Sequence, residues 1–284
     1  MKTILVPIDF SQAAKDAVDY SIQVAEHYGY EQIILLKVHY ESYMDYISTM
    51  GVGYSFMGKE ASIQYNKQSK LLLQAMEKRA KEQAAALPNL QVRTASSDLP
   101  LARAITAILS KEPGIELMIL GSNHTKSSDP DFITSNIIKI ARTAPVKILI
   151  VPEGVPYHPF EQILVPCDLQ HLQYLDKLED YKTRLKSGSK LTILNIYTRA
   201  NSGEGFQVGK WQEKLKQYFE GRQLQFFDFY ATNALSGVLD FVSLHPTDLI
   251  VALPGRHSFL YYMAQKSLSE GIYKNTNQPV LLLK

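Results

Sequence analysis

The chain states one pattern twice. Lys2-Thr3-Ile4-Leu5-Val6-Pro7-Ile8-Asp9 returns past the midpoint as Glu161-Gln162-Ile163-Leu164-Val165-Pro166-Cys167-Asp168. Each copy is an aliphatic run ending in Pro, one residue, then Asp. Each is followed by a helical stretch and a second aliphatic run, Ile33-Ile34-Leu35-Leu36-Lys37-Val38 in one and Leu191-Thr192-Ile193-Leu194-Asn195-Ile196 in the other. The closing segments match as well, Ala144-Pro145-Val146-Lys147-Ile148-Leu149-Ile150 against Gln278-Pro279-Val280-Leu281-Leu282-Leu283. A repeat of this length predicts two copies of one α/β domain, so any site has to be sought twice.

Strand-length apolar runs alternate with helix-period segments in the first half. The strand-like runs are 3–8, 32–38, 90–94, 117–120 and 147–151. Helical spacing links Ala14, Val18, Ile22 and Ala25, then Leu72, Leu73, Met76, Ala80 and Ala84. Two further sets are Leu101, Ala104, Ile105 and Ile108, and Ile133, Ile137, Ile138 and Ala141. The second half repeats the order, with strands at 163–165, 191–196, 225–229, 249–252 and 280–283 and helices at 172–185, 209–220, 235–244 and 259–273. Strands apolar on both faces, alternating with helices, predict two doubly wound, mostly parallel five-stranded sheets. The domains are expected at 1–152 and 160–284, joined by a Pro-rich connector at 153–159.

A length of 284 residues gives each copy enough chain for its own core. The net charge of +2 points to no nucleic-acid partner. The densest charge cluster, Glu77, Lys78, Arg79, Lys81 and Glu82, mixes both signs and reads as a solvated helix face. Cys167 is the one cysteine, which excludes an internal disulfide, and its expected role is that of a small buried hydrophobe. No apolar run approaches the ~20 residues of a membrane span, and the opening shows no secretory pattern. The expectation is a soluble, cytoplasmic protein. The histidines show no metal spacing such as H-E-x-x-H, and neither G-x4-G-K-[ST] nor G-x-S-x-G occurs. Gly51-Val52-Gly53-Tyr54-Ser55-Phe56 lacks the last glycine of a dinucleotide fingerprint.

The strand ending Val-Pro-x-Asp, in Ile4-Leu5-Val6-Pro7-Ile8-Asp9-Phe10-Ser11, the Thr247-Asp248-Leu249-Ile250-Val251 strand, and the Pro-Val-apolar endings together resemble the universal stress protein family. The resemblance spans nearly the whole chain, as a tandem of two such domains. It implies a Rossmann-like fold of the adenine-nucleotide α-hydrolase kind. In nucleotide-binding members the fourth strand runs into G-x2-G-x9-G-[ST], whose glycines let backbone approach phosphates. The resemblance implies that Asp9 contacts the nucleoside or its metal and that Val38 lies near the base. On that pattern Gly121, Ser122 and Ser135 fit, whereas His124 and Thr134 stand at the second and third glycine positions. In the second copy Leu253, Arg256 and Lys266 occupy the three glycine positions, before Ser267.

The tentative ligand set is therefore Asp9, Val38, Gly121, Ser122, His124 and Ser135, with ATP or AMP as the ligand in the first domain. Asp9 and Asp168 keep two open readings, ligand contact or helix cap. Gly255, Arg256 and His257 are either an anion site of another design or merely exposed. Trp211, Leu215 and Tyr218 share helical spacing and read as core or interface. The segment 40–58, rich in Tyr, Met and Gly, is either a contact surface or a loop with no role. Two functions stay open: a non-catalytic stress-response protein acting by binding, with degenerate nucleotide loops, and an ATP or AMP binder with at most slow hydrolysis. The family analogy adds an internal pseudo-dimer through the strands that follow Pro145 and Pro279, and a homodimer of whole chains is expected.

Overall fold

The structure, a computed structural model, describes residues 1–39, 59–122, 140, 144–167, 178, 188–197, 212–213, 215–217, 219–220, 223–253 and 278–283. The segment 40–58 and most of the helices expected at 133–141, 172–185, 209–220 and 259–273 lie outside these residues. So do Trp211 and Tyr218, while Leu215 is fully buried.

The described residues up to Ser122, with 140 and 144–146, form one compact unit, and those from Lys147 onwards form a second. The first contains β1 (Thr3–Ile8), α1 (Gln12–Tyr28), β2 (Gln32–Val38), α2 (Lys59–Gln83), β3 (Gln91–Ser97), α3 (Leu101–Lys111) and β4 (Ile115–Ser122). Its strands are parallel in the order β3-β2-β1-β4. Apolar side chains on both faces of β1 and β2 are sealed from water, with Ile4, Leu5, Val6, Ile34 and Leu35 all at 0% exposure, which is why these runs do not alternate.

Helix α1 begins at Ser11, whose Oγ accepts from the amide of Ala14 at 3.2 Å, and ends at Gly29 with a left-handed φ of 66°. Its buried face carries Ala14, Val18, Ile22 and Ala25, as the spacing predicts, and each fully buried Val or Ile contributes about 1.5–3 kcal/mol. The face expected of helix α2 holds at Met76, Ala80 and Ala84 and fails at Leu72. Ser69, Met76, Ala80 and Ala84 are buried, while Leu72 is 44% exposed. Period alone could not separate adjacent leucines at 71–73. The charged cluster on α2 is mostly solvated, but Arg79 pairs with Asp19 of α1 and Glu77 accepts from Thr94 of β3.

The second unit contains β5 (Lys147–Pro152), β6 (Gln162–Cys167), β7 (Lys190–Tyr197), β8 (Gln223–Tyr230), α4 (Ala234–Leu244), β9 (Leu249–Ala252) and β10 (Val280–Leu282). The order β10-β9-β6-β7-β8 is all parallel, and β5 joins β10 antiparallel, with Leu149 opposite Leu281. The Asp248 carboxylate accepts from the amides of Glu161 and Gln162, at 3.0 and 2.7 Å, and so fixes where β6 starts. That gives the Thr-Asp before the fourth strand a structural reason.

The two prolines of the repeat shape both sheets in the same way. Pairing of β1 with β2 continues to Ile8–Lys37, but pairing of β1 with β4 stops at Leu5–Met118. Likewise β6 follows β7 to Cys167–Asn195 and leaves β9 after Leu164–Ile250. Proline has no N–H to donate, so the ladder on that side ends before Pro7 and Pro166. The first and fourth strands therefore part at their carboxyl ends, between strands whose connections diverge to either side.

Candidate functional site

In open α/β sheets ligands bind at the carboxyl edge where strand order reverses, which here is between β1 and β4. Asp9 leaves β1 on one side of this opening, and Gly121 and Ser122 stand on the other. Val38 ends β2 beside β1. Four of the six residues in the expected ligand set thus share one edge of the first unit. His124 and Ser135 lie outside the described residues, as do Asp168, Arg256 and Lys266.

For two of these residues the structure shows a local role. Asp9 does not cap α1; Ser11 does. The Asp9 Oδ1 accepts from the amide of Ser11 at 2.9 Å, closing a turn across Phe10, and the carboxylate is exposed at the sheet edge. Gly121, expected at the start of a phosphate loop, is still part of β4. A Cβ built on it would overlap the Ala13 carbonyl of α1. The glycine lets the first turn of α1 lie against β4, which is a packing requirement. Ser122 is 2% exposed, so β4 carries it into the interior.

Sequence reasoning passed over two residues here. Phe10 has φ 69°, a left-handed conformation that costs a bulky residue about 1–3 kcal/mol. Its ring lies under the Lys37 ammonium, 4.8 Å from nitrogen to ring centroid. Lys37 is 2% exposed, and a desolvated cation–π contact is worth about 2 kcal/mol. A lysine inside the run Ile33–Val38 was the available signal, since a charge in a doubly covered strand needs a reason. His39 follows the same strand. Burial first, and then the Lys37 charge, push its imidazole below the usual histidine range, with Asp98 opposing. Its Nδ1 is buried without a hydrogen-bond partner among the described residues.

The matching edge of the second unit is built differently. Register equates Lys37 with Asn195, Ser96 with Asp228, and His39 with Tyr197. Asn195 Nδ2 donates to Asp228 Oδ1 at 2.9 Å. Tyr197 stacks on Tyr230 with centroids 5.1 Å apart and an interplanar angle of 23°. Cys167, expected to be buried, is half-buried. Among the described residues no group of three or more His, Cys, Asp and Glu is arranged to hold a metal, and no helix is long and apolar enough to cross a membrane.

Comparison with known proteins agrees with this architecture. A universal stress protein from Archaeoglobus fulgidus DSM 4304 is similar over 99% of this chain and 98% of its own, with a TM-score of 0.66 at 14% identity. The cytoplasmic domain of a prokaryotic cation chloride cotransporter is similar over 99% of this chain and 94% of its own, with a TM-score of 0.56 at 12% identity. A functionally unknown protein of Pseudomonas aeruginosa PAO1 matches 100% of this chain and 92% of its own, with a TM-score of 0.51 at 14% identity. At such identities these likenesses show the fold alone. No curated protein matches the chain in sequence. The sequence pattern of the universal stress protein family, however, matches residues 1–152. That stretch is more than half of the chain and carries the Val-Pro-x-Asp edge described above, and the chain belongs to the universal stress protein family.

Proposed function

We propose that this protein is a non-catalytic stress-response protein that acts in the cytoplasm by binding, with nucleotide loops too degenerate to hold ATP firmly. The observation that carries this reading is at Gly121. The one fitting glycine of the first-copy pattern lies against the Ala13 carbonyl of α1, and this packing accounts for a glycine there without a phosphate. His124 and Thr134, at the other two glycine positions, add side chains where backbone approach would be needed.

A second reading, an ATP or AMP binder with at most slow hydrolysis, is favoured by the parting of β1 and β4 beside the exposed Asp9 carboxylate. Mass spectrometry of protein purified without added nucleotide separates the two. The first reading expects no stoichiometric ATP or AMP and no turnover of ATP above buffer. Retained nucleotide, lost in Asp9→Asn, overturns it in favour of the second; asparagine keeps the acceptor for Ser11 and removes only the charge.

The binding partner proposed first is a second copy of the chain. Leu71 and Leu72 of α2, 58% and 44% exposed, supply apolar surface for it, and the segment 40–56 is rich in aromatics. Sedimentation of the whole chain should show a dimer weakened by deleting 40–56. A monomeric parent rejects self-association.

A further inference from the structure

The last strand of a sheet offers a row of N–H and C=O groups to any other chain, and proteins ordinarily blunt it with lysine, proline, a bulge or a well-placed charge. β3, which ends the strand order of the first unit, is of the blunted kind. It carries no aromatic residue, and its Arg93 reaches Glu112 of the following helix cap at 2.7 Å. β8, which ends the strand order of the second unit, is not. Its eight residues contain no Lys, Arg or Pro, and its register with β7 runs unbroken from Lys190–Gln223 to Tyr197–Tyr230, so no bulge turns it aside. Its one charge, on Asp228, accepts from Asn195 and is thereby drawn toward β7. Half of the strand is aromatic, Phe226, Phe227, Phe229 and Tyr230. Tyr230, at 78%, is the most exposed large apolar side chain among the described residues.

The backbone shows which groups face outward. The amide of Ala231 donates to the Tyr197 carbonyl of β7, so odd-numbered residues of β8 direct their N–H and C=O at β7. Leu224, Asp228 and Tyr230, in the alternate positions, direct theirs away from it. Burial adds a second regularity. Gln223 and Gln225 are exposed on one face and Asp228 and Tyr230 on the other, while Leu224, Phe227 and Phe229 are half-buried. The exposure of β8 reads the same in both directions, so the strand complements its own antiparallel copy once the two are offset by one residue.

We propose that β8 pairs antiparallel with β8 of a second copy of the chain, about a twofold axis at Phe227. This register sets Leu224 opposite Tyr230 of the copy, and the outward groups of the two residues exchange N–H···O=C bonds. It also sets Gln225 opposite Phe229 of the copy, so each exposed side chain meets a half-buried apolar one. Asp228 falls opposite Phe226 of the copy, whereas an axis at Asp228 would oppose two carboxylates. The contact goes beyond the α2 surface proposed above and needs neither Leu71, Leu72 nor the segment 40–56. A chain that uses both twofold contacts joins dimers into larger assemblies.

Hydrogen exchange of the full chain, read by mass spectrometry on peptides that span β8 and α2, tests this. The β8 amides should exchange about tenfold more slowly as the protein is raised from about 1 µM to about 1 mM. Leu224→Pro removes an outward N–H that β7 does not use, and Tyr230→Lys puts a charge on an exposed position of the edge. Each should abolish the concentration dependence at β8 and leave that at α2 unchanged, whereas Tyr230→Phe should keep both. β8 exchange that is the same at all concentrations overturns the proposal and leaves the edge to a strand of another protein. Protection at β8 that survives both Leu224→Pro and Tyr230→Lys also overturns it. Should Leu224→Pro fail to fold, Tyr230→Lys decides alone, because its side chain is exposed. Concentration dependence at α2 without β8 rejects this contact and keeps the α2 one, and the reverse result does the opposite.

Discussion

The carboxyl edges of the two units show one backbone register solved with different chemistry. In the first, Lys37 is buried under Phe10, and His39 stands beyond it. In the second, Asn195 is hydrogen-bonded to Asp228, and Tyr197 stacks on Tyr230. The prolines interrupt the ladder at the same step in both, so the opening belongs to the repeat itself. What fills the edge does not. The second unit satisfies its polar groups with neutral and surface partners, whereas the first keeps a desolvated cation in place with a strained aromatic. Among the described residues, a buried charge stands at this edge only in the first unit, the edge where this fold binds ligands.

The largest expected effect tests the close approach of α1 to β4. Register equates Gly121 with Leu253. Gly121→Leu pushes a side chain into the Ala13 carbonyl, which is backbone and cannot rotate away, and should cost about 4 kcal/mol or more. Leu253→Gly, at a half-buried position, should cost about 1–2 kcal/mol. Urea denaturation of the two variants checks the contrast, and equal losses would show that the units pack this helix alike. Next in size is the buried charge. Lys37→Ala removes a packed stem and leaves a cavity, with a loss of about 2–4 kcal/mol, most of it recovered in Lys37→Met. Asn195→Ala breaks one hydrogen bond to an exposed carboxylate and should cost about 1 kcal/mol in the same measurement. If Lys37→Met is as damaging as Lys37→Ala, the ammonium rather than the stem maintains the edge.

The strands were legible because burial on both faces leaves runs that nothing else in the sequence imitates. β1, β2 and β9 have the bounds that their apolar residues predict. β3 and β4 extend past their apolar runs, because polar Ser97 and Ser122 are held by strand pairing and packing rather than by hydrophobicity. The site was legible as a place and not as a set of roles. Val-Pro-x-Asp marks the edge, yet which of Asp9 and Ser11 caps α1 depends on a two-residue offset that composition does not encode. That Gly121 also seats α1 was not legible, because the Ala13 carbonyl it lies against is more than a hundred positions away in sequence. Phe10 and Lys37 are a long-range pair, and no local pattern announces a ring over a cation.

A smaller difference separates the helices that follow the third strands. Asn233 caps α4 with a reciprocal box, its Oδ1 accepting from the Ser236 amide at 2.9 Å. Pro100, in the same position before α3, makes no side-chain cap. Asn233→Ala should therefore cost about 1 kcal/mol and Pro100→Ala less than about 0.5 kcal/mol, by thermal or urea denaturation. Equal values would mean that the α3 start is held by contacts other than a cap.

The smallest effect is in pH dependence, and it has opposite sign at the two edges. His39 titrates below its ordinary value in the folded chain, through burial first and the Lys37 charge second. Between its folded pKa and the ordinary histidine value the unfolded chain binds more protons, so stability rises with pH across that interval. His39 thus contributes stability that is present above the ordinary histidine pKa and lost as pH falls through the folded one. Tyr197, at the matching position, titrates above its ordinary value through burial first and then the Asp228 charge, with the Asn195 hydrogen bond opposing. Its contribution is complete below the ordinary tyrosine pKa and is lost as pH rises through the folded value. Both side chains are only partly buried, so both slopes should be shallow. Urea midpoints measured from pH 5 to 8 should flatten on the acid side in His39→Gln, and Lys37→Met should flatten them in part by removing the neighbouring charge. An acid slope untouched by Lys37→Met would mean that burial alone depresses His39, and would remove the cation from the account of this edge at acid pH.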